Sequence, residues 1–335
     1  MTEIPSTMQA VVATSSGPRW AERREFDVPI PKPGEVLVRV HAFSINRGEL
    51  ALLRSRDDGW RPGQDLAGVV VALGPGVDGP PVGTRVVALV DQHGWAQYAV
   101  VEAHRLAALP DEIDDAGRAA ALPLAGITAL NVVRRGGALL GRRVLVTGAS
   151  GGVGQLVVQL ARAAEAAVVA IASEEHAARL HALGAATVAS QVEATRGPFA
   201  LVCEGVGGPS LAAGVERLTE DGVAVLYGAT ASEPAPLSLF SFAAAPAARL
   251  EPFYSARYAP RNGEDLATLV ALLADGRLQI ELGFTGDWDE LDDALDALAA
   301  RRFTGKAVLS VSHDRARRAP ATATSGDRRP TSRTA

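Results

Sequence analysis

The sequence predicts an α/β protein of two domains, one a doubly wound parallel sheet and the other rich in β-strand. Three observations predict it. The stretch "VLVTGASGGVGQLVVQLARAAEAAVVAIAS", residues 144–173, sets four glycines between two apolar runs. Ahead of about residue 120, short apolar runs alternate with turn clusters. Beyond the glycine stretch, further apolar runs give way to two amphipathic segments and a last strand-like run.

The β-rich part comes first. In "GEVLVRVHAF", Val36, Val38 and Val40 alternate with Leu37, Arg39 and His41, the period of a half-buried strand. "AGVVVALG", "TRVVALV" and "AQYAVV" read as further strands, parted by turn clusters such as "GPGVDGPPVG". "DDAGRAAALPLAGITALNVVRRG" reads as helix and leads into the second domain. Residues 144–147 show no polar alternation, which suits a strand buried on both faces of a parallel sheet. From Gln155 onward, Leu156, Val157, Leu160, Ala161 and Ala164 recur at helical spacing, and residues 167–172 read as the next strand. Strand, glycine turn, helix and strand make a right-handed βαβ unit. Strands follow near 200–203 and 223–227, then the amphipathic helices "EDLATLVALLADG" and "DWDELDDALDALAARR", and "GKAVLSV" closes the fold. The expected division is 1–121 for the β-rich domain, 122–256 for the parallel-sheet domain, and 257–312 for a return to the first. A disordered basic tail is expected over 313–335, where six arginines face two aspartates from Asp314 onward.

The glycine turn has a chemical purpose. It exposes backbone N–H groups and the positive end of a helix dipole to a pyrophosphate, with no side chain in the way. The spacing Gly148, Gly151-Gly152, Gly154 departs from the usual G-x-G-x-x-G, but strand and helix flank it as that motif requires. On this reading, Gly152→Val abolishes dinucleotide binding by blocking the backbone approach. The alternative is a structural glycine-rich loop between buried strands, and a phosphate-transferring loop fits less well, because no Lys-Ser or Lys-Thr follows the glycines.

Composition narrows the class further. A net charge of −5 argues against nucleic-acid binding. The single cysteine, Cys203, excludes an intrachain disulfide and a cysteine-cluster metal site, and its apolar surroundings suggest core packing. There is neither a signal-like N-terminus nor an apolar run of about twenty residues. The expectation is therefore a cytoplasmic enzyme with no membrane partner.

The order of parts, from a β-rich domain through "AAALPLAGITAL" and "VLVTGASGGVGQ" to "RRFTGKAVLSV", resembles the medium-chain dehydrogenase/reductases over residues 8–311. The likeness is to their zinc-independent, zeta-crystallin-like quinone oxidoreductase branch. It implies a GroES-like catalytic domain beside a Rossmann-type domain, and NADPH as cofactor. Zinc-dependent members hold their metal with a cysteine after an early strand and the histidine of a Gly-His-Glu triplet. Here Asn46 and the triplet Gly63-Gln64-Asp65 stand at those positions, and neither Asn nor Gln is a usual zinc ligand. No metal is therefore expected.

The resemblance also implies site residues. Asn46 would lie near the nicotinamide, the alternative being a turn residue that closes a strand. Thr128 would contact the nicotinamide, the alternative being a helix threonine bonded to its own backbone. Arg54 and Trp60 fall in a substrate-shaping loop, Arg54 as a catalytic candidate, and the alternative for Trp60 is a packing anchor. Relatives often carry a tyrosine there; this chain has none between Asn46 and Trp60, which leaves the proton donor open, water included. Thr128, Ser150, Gly151, Gly152, Val153, Gly154, Gly228 and Lys306 are the expected cofactor contacts. The ribose should meet Ser173, where NAD-binding strands place an acid, with His176 and Arg179 available to a 2′-phosphate, unless Glu174 or Glu175 turns inward.

Hydride transfer without a metal favours acceptors that spread their developing charge, namely quinones and α,β-unsaturated carbonyls. Two alternatives stay open: reductive or redox-neutral tailoring of a biosynthetic intermediate, and a non-enzymatic NADPH-binding protein. A homodimer is expected, with the apolar segment 235–245 covering a sheet edge.

Overall fold

The computed structural model describes residues 3–14 and 19–313. From residue 314 onward the expected tail lies outside the described residues. β1 (Thr7–Ala13) and β2 (Ala21–Asp27) form an antiparallel sheet of their own. β3 (Glu35–Ile45) runs into α1 (Arg47–Ser55), and β4 (Asp65–Leu73), β5 (Arg85–Leu89), β6 (Tyr98–Glu102) and β7 (Leu106–Ala108) complete the N-terminal strands. α2 (Ala116–Ala120) and α3 (Pro123–Arg134) lead out of this domain, Asp115 capping α2 through the Gly117 and Arg118 N–H groups.

The parallel-sheet domain follows as β8 (Arg143–Val146), α4 (Gly152–Ala163), β9 (Ala167–Ile171), α5 (Ala177–Ala182), β10 (Thr187–Ala189), β11 (Phe199–Glu204), α6 (Gly208–Val215), β12 (Leu218–Leu226) and β13 (Arg249–Pro252). Its order is β10-β9-β8-β11-β12-β13, parallel throughout. The chain moves outward one way from β8, then resumes on the other side at β11. The crevice beyond the carboxyl ends of these two strands is a topological switch point, where such sheets bind ligands. Every residue of β11 is buried and Val144, Leu145 and Val146 are fully so, as two covered faces require.

The last segment is α7 (Asn262–Ala274), β14 (Leu282–Asp287), α8 (Leu291–Ala299) and β15 (Lys306–Ser310). β15 inserts antiparallel beside β3, giving a seven-stranded sheet of order β14-β15-β3-β4-β5-β7 with β6 also on β3. In that sheet the return begins at Leu282, while α7 leans on both α3 and β7. The helix after the glycines starts at Gly152, ahead of the apolar periodicity that begins at Gln155, because its first turn is occupied by the glycine loop. No described helix is long and apolar enough to cross a membrane.

Candidate active site

Strand register creates a polar corner at the end of β3. Ser44 pairs with Asp65 on β4, and Ile45 pairs with Ala307 on β15, so Asn46, Asp65 and Lys306 meet although they are far apart in sequence. Asp65 is fully buried. Its Oδ2 accepts from Ser44 Oγ at 2.6 Å and Asn46 Nδ2 at 2.9 Å, and Lys306 Nζ lies 3.4 Å away. Its Oδ1 accepts the Leu124 N–H at 2.8 Å, in the first turn of α3, where the helix dipole favours a carboxylate. These donors and the Lys306 ammonium offset the cost of burying the charge. Lys306 Nζ also donates to Asn46 Oδ1 and, at 3.3 Å, to the Ile45 carbonyl.

Glu49 lies beneath this corner. It closes a capping box on α1: its Oε2 accepts the Asn46 N–H at 2.7 Å, while Oε1 accepts the Gln64 N–H at 2.9 Å. Burial and then the charge of Asp65 push its carboxyl up to about 8, against those two hydrogen bonds and the pull of Lys306. From the ordinary carboxylate range up to that value, folded Glu49 keeps a proton that the unfolded chain has released. Stability therefore falls as pH rises through this window and levels off above it. Wild type should lose up to about 1.4 kcal/mol per pH unit more than Glu49→Gln between about pH 5 and 8, close to one proton. Denaturant titrations across that range check it, and parallel slopes would contradict it.

The glycine loop faces the same corner. Gly148 adopts φ +58° and its carbonyl accepts the Gly151 N–H at 3.0 Å, a tight turn at the mouth of α4. A Cβ at Gly154 would lie 2.3 Å from the Gly148 oxygen, so this position admits only glycine. At Gly151 a Cβ would meet only that oxygen, at 3.3 Å, and otherwise point into open space. Gly152 behaves differently. Its Cβ would lie 2.8 Å from Lys306 Cδ and 3.1 Å from the Gly305 oxygen, so the bare backbone there makes room for β15. The blockade expected of Gly152→Val thus falls on the 305–306 segment, and Gly151 is the glycine that leaves an approach open. The N–H groups of Gly152, Val153 and Gly154, in the first helical turn, lack intrahelical partners, an arrangement able to receive an anion. Ser150 gives its carbonyl to Gln155 Nε2 at 2.9 Å, and Gln155 also donates to Glu281 at 2.6 Å.

Comparison with known proteins supports the fold. Residues 32–111 match the alcohol dehydrogenase GroES-like domain, and residues 181–309 the zinc-binding dehydrogenase family. The 2-methylene-furan-3-one reductase of Solanum lycopersicum is 30% identical over 91% of this chain and 80% of its own. The chain belongs to the medium-chain dehydrogenase/reductase family. The quinone oxidoreductase of Coxiella burnetii is similar in structure, with a TM-score of 0.78 and 25% identity over 91% of this chain and 100% of that one. So is a mycobacterial protein solved in complex with NADPH, with a TM-score of 0.80 and 26% identity over 90% of this chain and 99% of that one. The chain spans about 15% of the length of a Mycolicibacterium smegmatis mycocerosic acid synthase-like polyketide synthase, to which it is 30% identical. Within the family its likeness is to the quinone oxidoreductase branch.

Other residues singled out from the sequence of this family member are spread more widely. Thr128 is buried on α3, and its hydroxyl makes no hydrogen bond to its own helix. Ser173 follows β9 and donates to Glu175 Oε1 at 3.0 Å; His176 Nε2 lies 3.5 Å from the same oxygen. Arg179 Nε faces Glu281 Oε2 at 3.7 Å. The groups assigned to a 2′-phosphate are therefore already set against carboxylates. Gly228 lets two loops approach, since a Cβ there would lie 2.6 Å from the Gly205 oxygen. Arg54 is not brought to Asn46. It lies about 12 Å along the axis of α1, with its guanidinium over Trp20 at 4.5 Å from the ring centre. Trp60 donates to Gln92 at 2.9 Å.

Ser44, Glu49, Asp65 and Glu281 were missed as a working set. Glu49 carried a readable signal, because Asn46-x-x-Glu49 has capping-box spacing. Fully buried Glu204 was missed as well: at the switch point it accepts from Thr147 Oγ1 at 2.7 Å and from the Val206 and Gly207 N–H groups. Cys203 is buried beside it, in the core. Among the described residues, no three His, Cys, Asp or Glu side chains gather where they could hold a metal.

Proposed function

We propose that the protein reduces a quinone or an α,β-unsaturated carbonyl with NADPH and without a metal. The observation that carries this reading is the Lys306 ammonium on Asn46 Oδ1, at the position where zinc-dependent relatives have a metal ligand. A divalent cation there would meet a fixed positive charge, so the residues present do not fit zinc. A nicotinamide dinucleotide does fit, because Gly151 leaves the cradle open and the first-turn N–H groups of α4 face it. When bound, the reduced nicotinamide supplies the hydride.

The chain's own groups supply position and charge. Asn46 Nδ2 spends one N–H on Asp65 and keeps the other for the oxygen of the acceptor, where negative charge develops. Lys306 behind it adds positive potential, and the unbonded Thr128 hydroxyl is a second donor. Quinones and enones suit such a site, since conjugation delivers the charge to an oxygen within reach of donors. The completing proton comes from water. Arg47 and Arg301 add positive charge for the cofactor phosphates: Arg47 has its pKa lowered by burial and then by Arg301, which itself donates to the Thr230 carbonyl at 2.9 Å. The likeness to polyketide synthases favours a second reading, in which the acceptor is a biosynthetic intermediate with an activated double bond. A homodimer formed across the open edge of β13 would cover the exposed Leu239 and Phe240.

Purified protein is expected to contain no stoichiometric zinc and to keep full NADPH-dependent activity in a chelator. Elemental analysis finding about one zinc per chain, together with loss of activity on chelation, would overturn the metal-free reading.

A further inference from the structure

We propose that Lys306 is a positioning residue, which couples the glycine loop to the orientation of the Asn46 amide. The proposal rests on the reading above that Asn46 serves the reduction, and it gives Lys306 a task other than holding the cofactor. Three independent features point to it. The stem of Lys306 passes over Gly152, where even a methyl group would collide with Cδ at 2.8 Å. Gly305, one residue earlier, pairs with Gly151 as an isolated β-bridge, so the 305–306 segment is fixed to the loop itself. The head of Lys306 ends within its own seven-stranded sheet, where it is 5% exposed and meets Asn46 Oδ1, the Ile45 carbonyl and Asp65.

At that end the chemistry distinguishes the two ends of an amide. Lys306 has only donors to offer and Asp65 Oδ2 only accepts, so together they hold Asn46 with oxygen toward β15 and nitrogen toward β4. A flipped amide would set its NH2 group against an ammonium and its oxygen against a carboxylate. One Asn46 N–H therefore remains, with its direction set by a residue anchored on the cofactor loop. Displacement of the loop is carried by the Lys306 stem to the donor that meets the acceptor oxygen.

The test combines kinetics with a direct view of the amide. Lys306→Met is expected to lower kcat for an enone on the order of ten-fold or more, with enone KM and NADPH Kd changed by less than about three-fold. Combining it with Asn46→Ala should cost little beyond Asn46→Ala alone, because both remove the same oriented donor. Since Lys306→Met leaves Asp65 buried without its cation, Lys306→Met with Asp65→Asn serves as a second variant that removes both charges and should reproduce the kcat loss.

The chain has three asparagines, Asn46, Asn131 and Asn262, so selective 15N-asparagine labelling yields a side-chain spectrum assignable through Asn46→Ala. In wild type the two Asn46 Nδ2 protons should be distinct, one of them slow to exchange. In both Lys306 variants that protection should be lost. Unchanged amide signals would overturn the proposal even if no acceptor is ever found, and a loss confined to NADPH affinity would make Lys306 a cofactor ligand instead. If wild type reduces no quinone or enone while the amide responds as stated, the functional reading fails and the coupling stands.

Discussion

Gly154→Val is expected to destabilise the protein by about 3–5 kcal/mol and to abolish binding of both NADPH and NADH. The added Cβ would lie 2.3 Å from the Gly148 oxygen and 2.7 Å from Ala149 Cα. Both are backbone atoms of a turn that the Gly151 N–H to Gly148 carbonyl bond holds closed, so nothing can yield cheaply. Gly151→Val makes the informative contrast. Its φ of −77° suits any residue, and its Cβ meets only one atom, at 3.3 Å, so stability should change by less than about 1 kcal/mol while cofactor binding is lost. Denaturant titration and cofactor fluorescence measure the two effects separately. A Gly151→Val protein that binds NADPH like wild type would remove the cradle from the account.

Cofactor preference carries the second large effect. NADPH is expected to bind at least about ten-fold more tightly than NADH, since β9 leads into Ser173 and not an acid, and a charge-assisted phosphate contact contributes roughly 1.5–3 kcal/mol. Ser173→Asp should reverse the order. Glu175 is the complication the structure adds: its carboxylate lies against both the Ser173 hydroxyl and His176, so it must turn away to admit a 2′-phosphate. Glu175→Gln is therefore expected to tighten NADPH by about ten-fold and to change NADH much less. Titrating both cofactors against the three proteins decides this. Equal or tighter NADH binding by wild type would mean that Glu175 takes the ribose hydroxyls.

The parallel-sheet domain was legible because a strand buried on both faces leaves a continuous apolar run, as in β8 and β11, and because glycines mark the loop between sheet and helix. β2, "AERREFD", was invisible for the opposite reason: it packs on β1 with mostly solvated side chains, so no apolar period betrays it. β13, "RLEP", is a short edge strand ending in proline, and β14, "LGFTGD", carries two glycines. In the candidate site, local spacing marks the glycines, and the likeness of "AFSINRGEL" to a family motif singles out Asn46. The partners of Asn46 could not be found in either way. Lys306 is 260 residues away, and only the pairing of Ala307 with Ile45 brings it there. Arg54 and Trp60 looked like neighbours of Asn46 in sequence, yet helix α1 carries Arg54 away to Trp20.

In the proposed reaction the nicotinamide hydride passes directly to a conjugated acceptor, with no metal between them. This is tested most directly by reducing an α,β-unsaturated ketone with NADPH carrying deuterium on the transferred position of C4, in ordinary water and with chelator present, and locating the label in the product. One deuterium per product is expected, at the β-carbon, with the α-hydrogen drawn from solvent. Label at the carbonyl carbon, or a product without label, would contradict it.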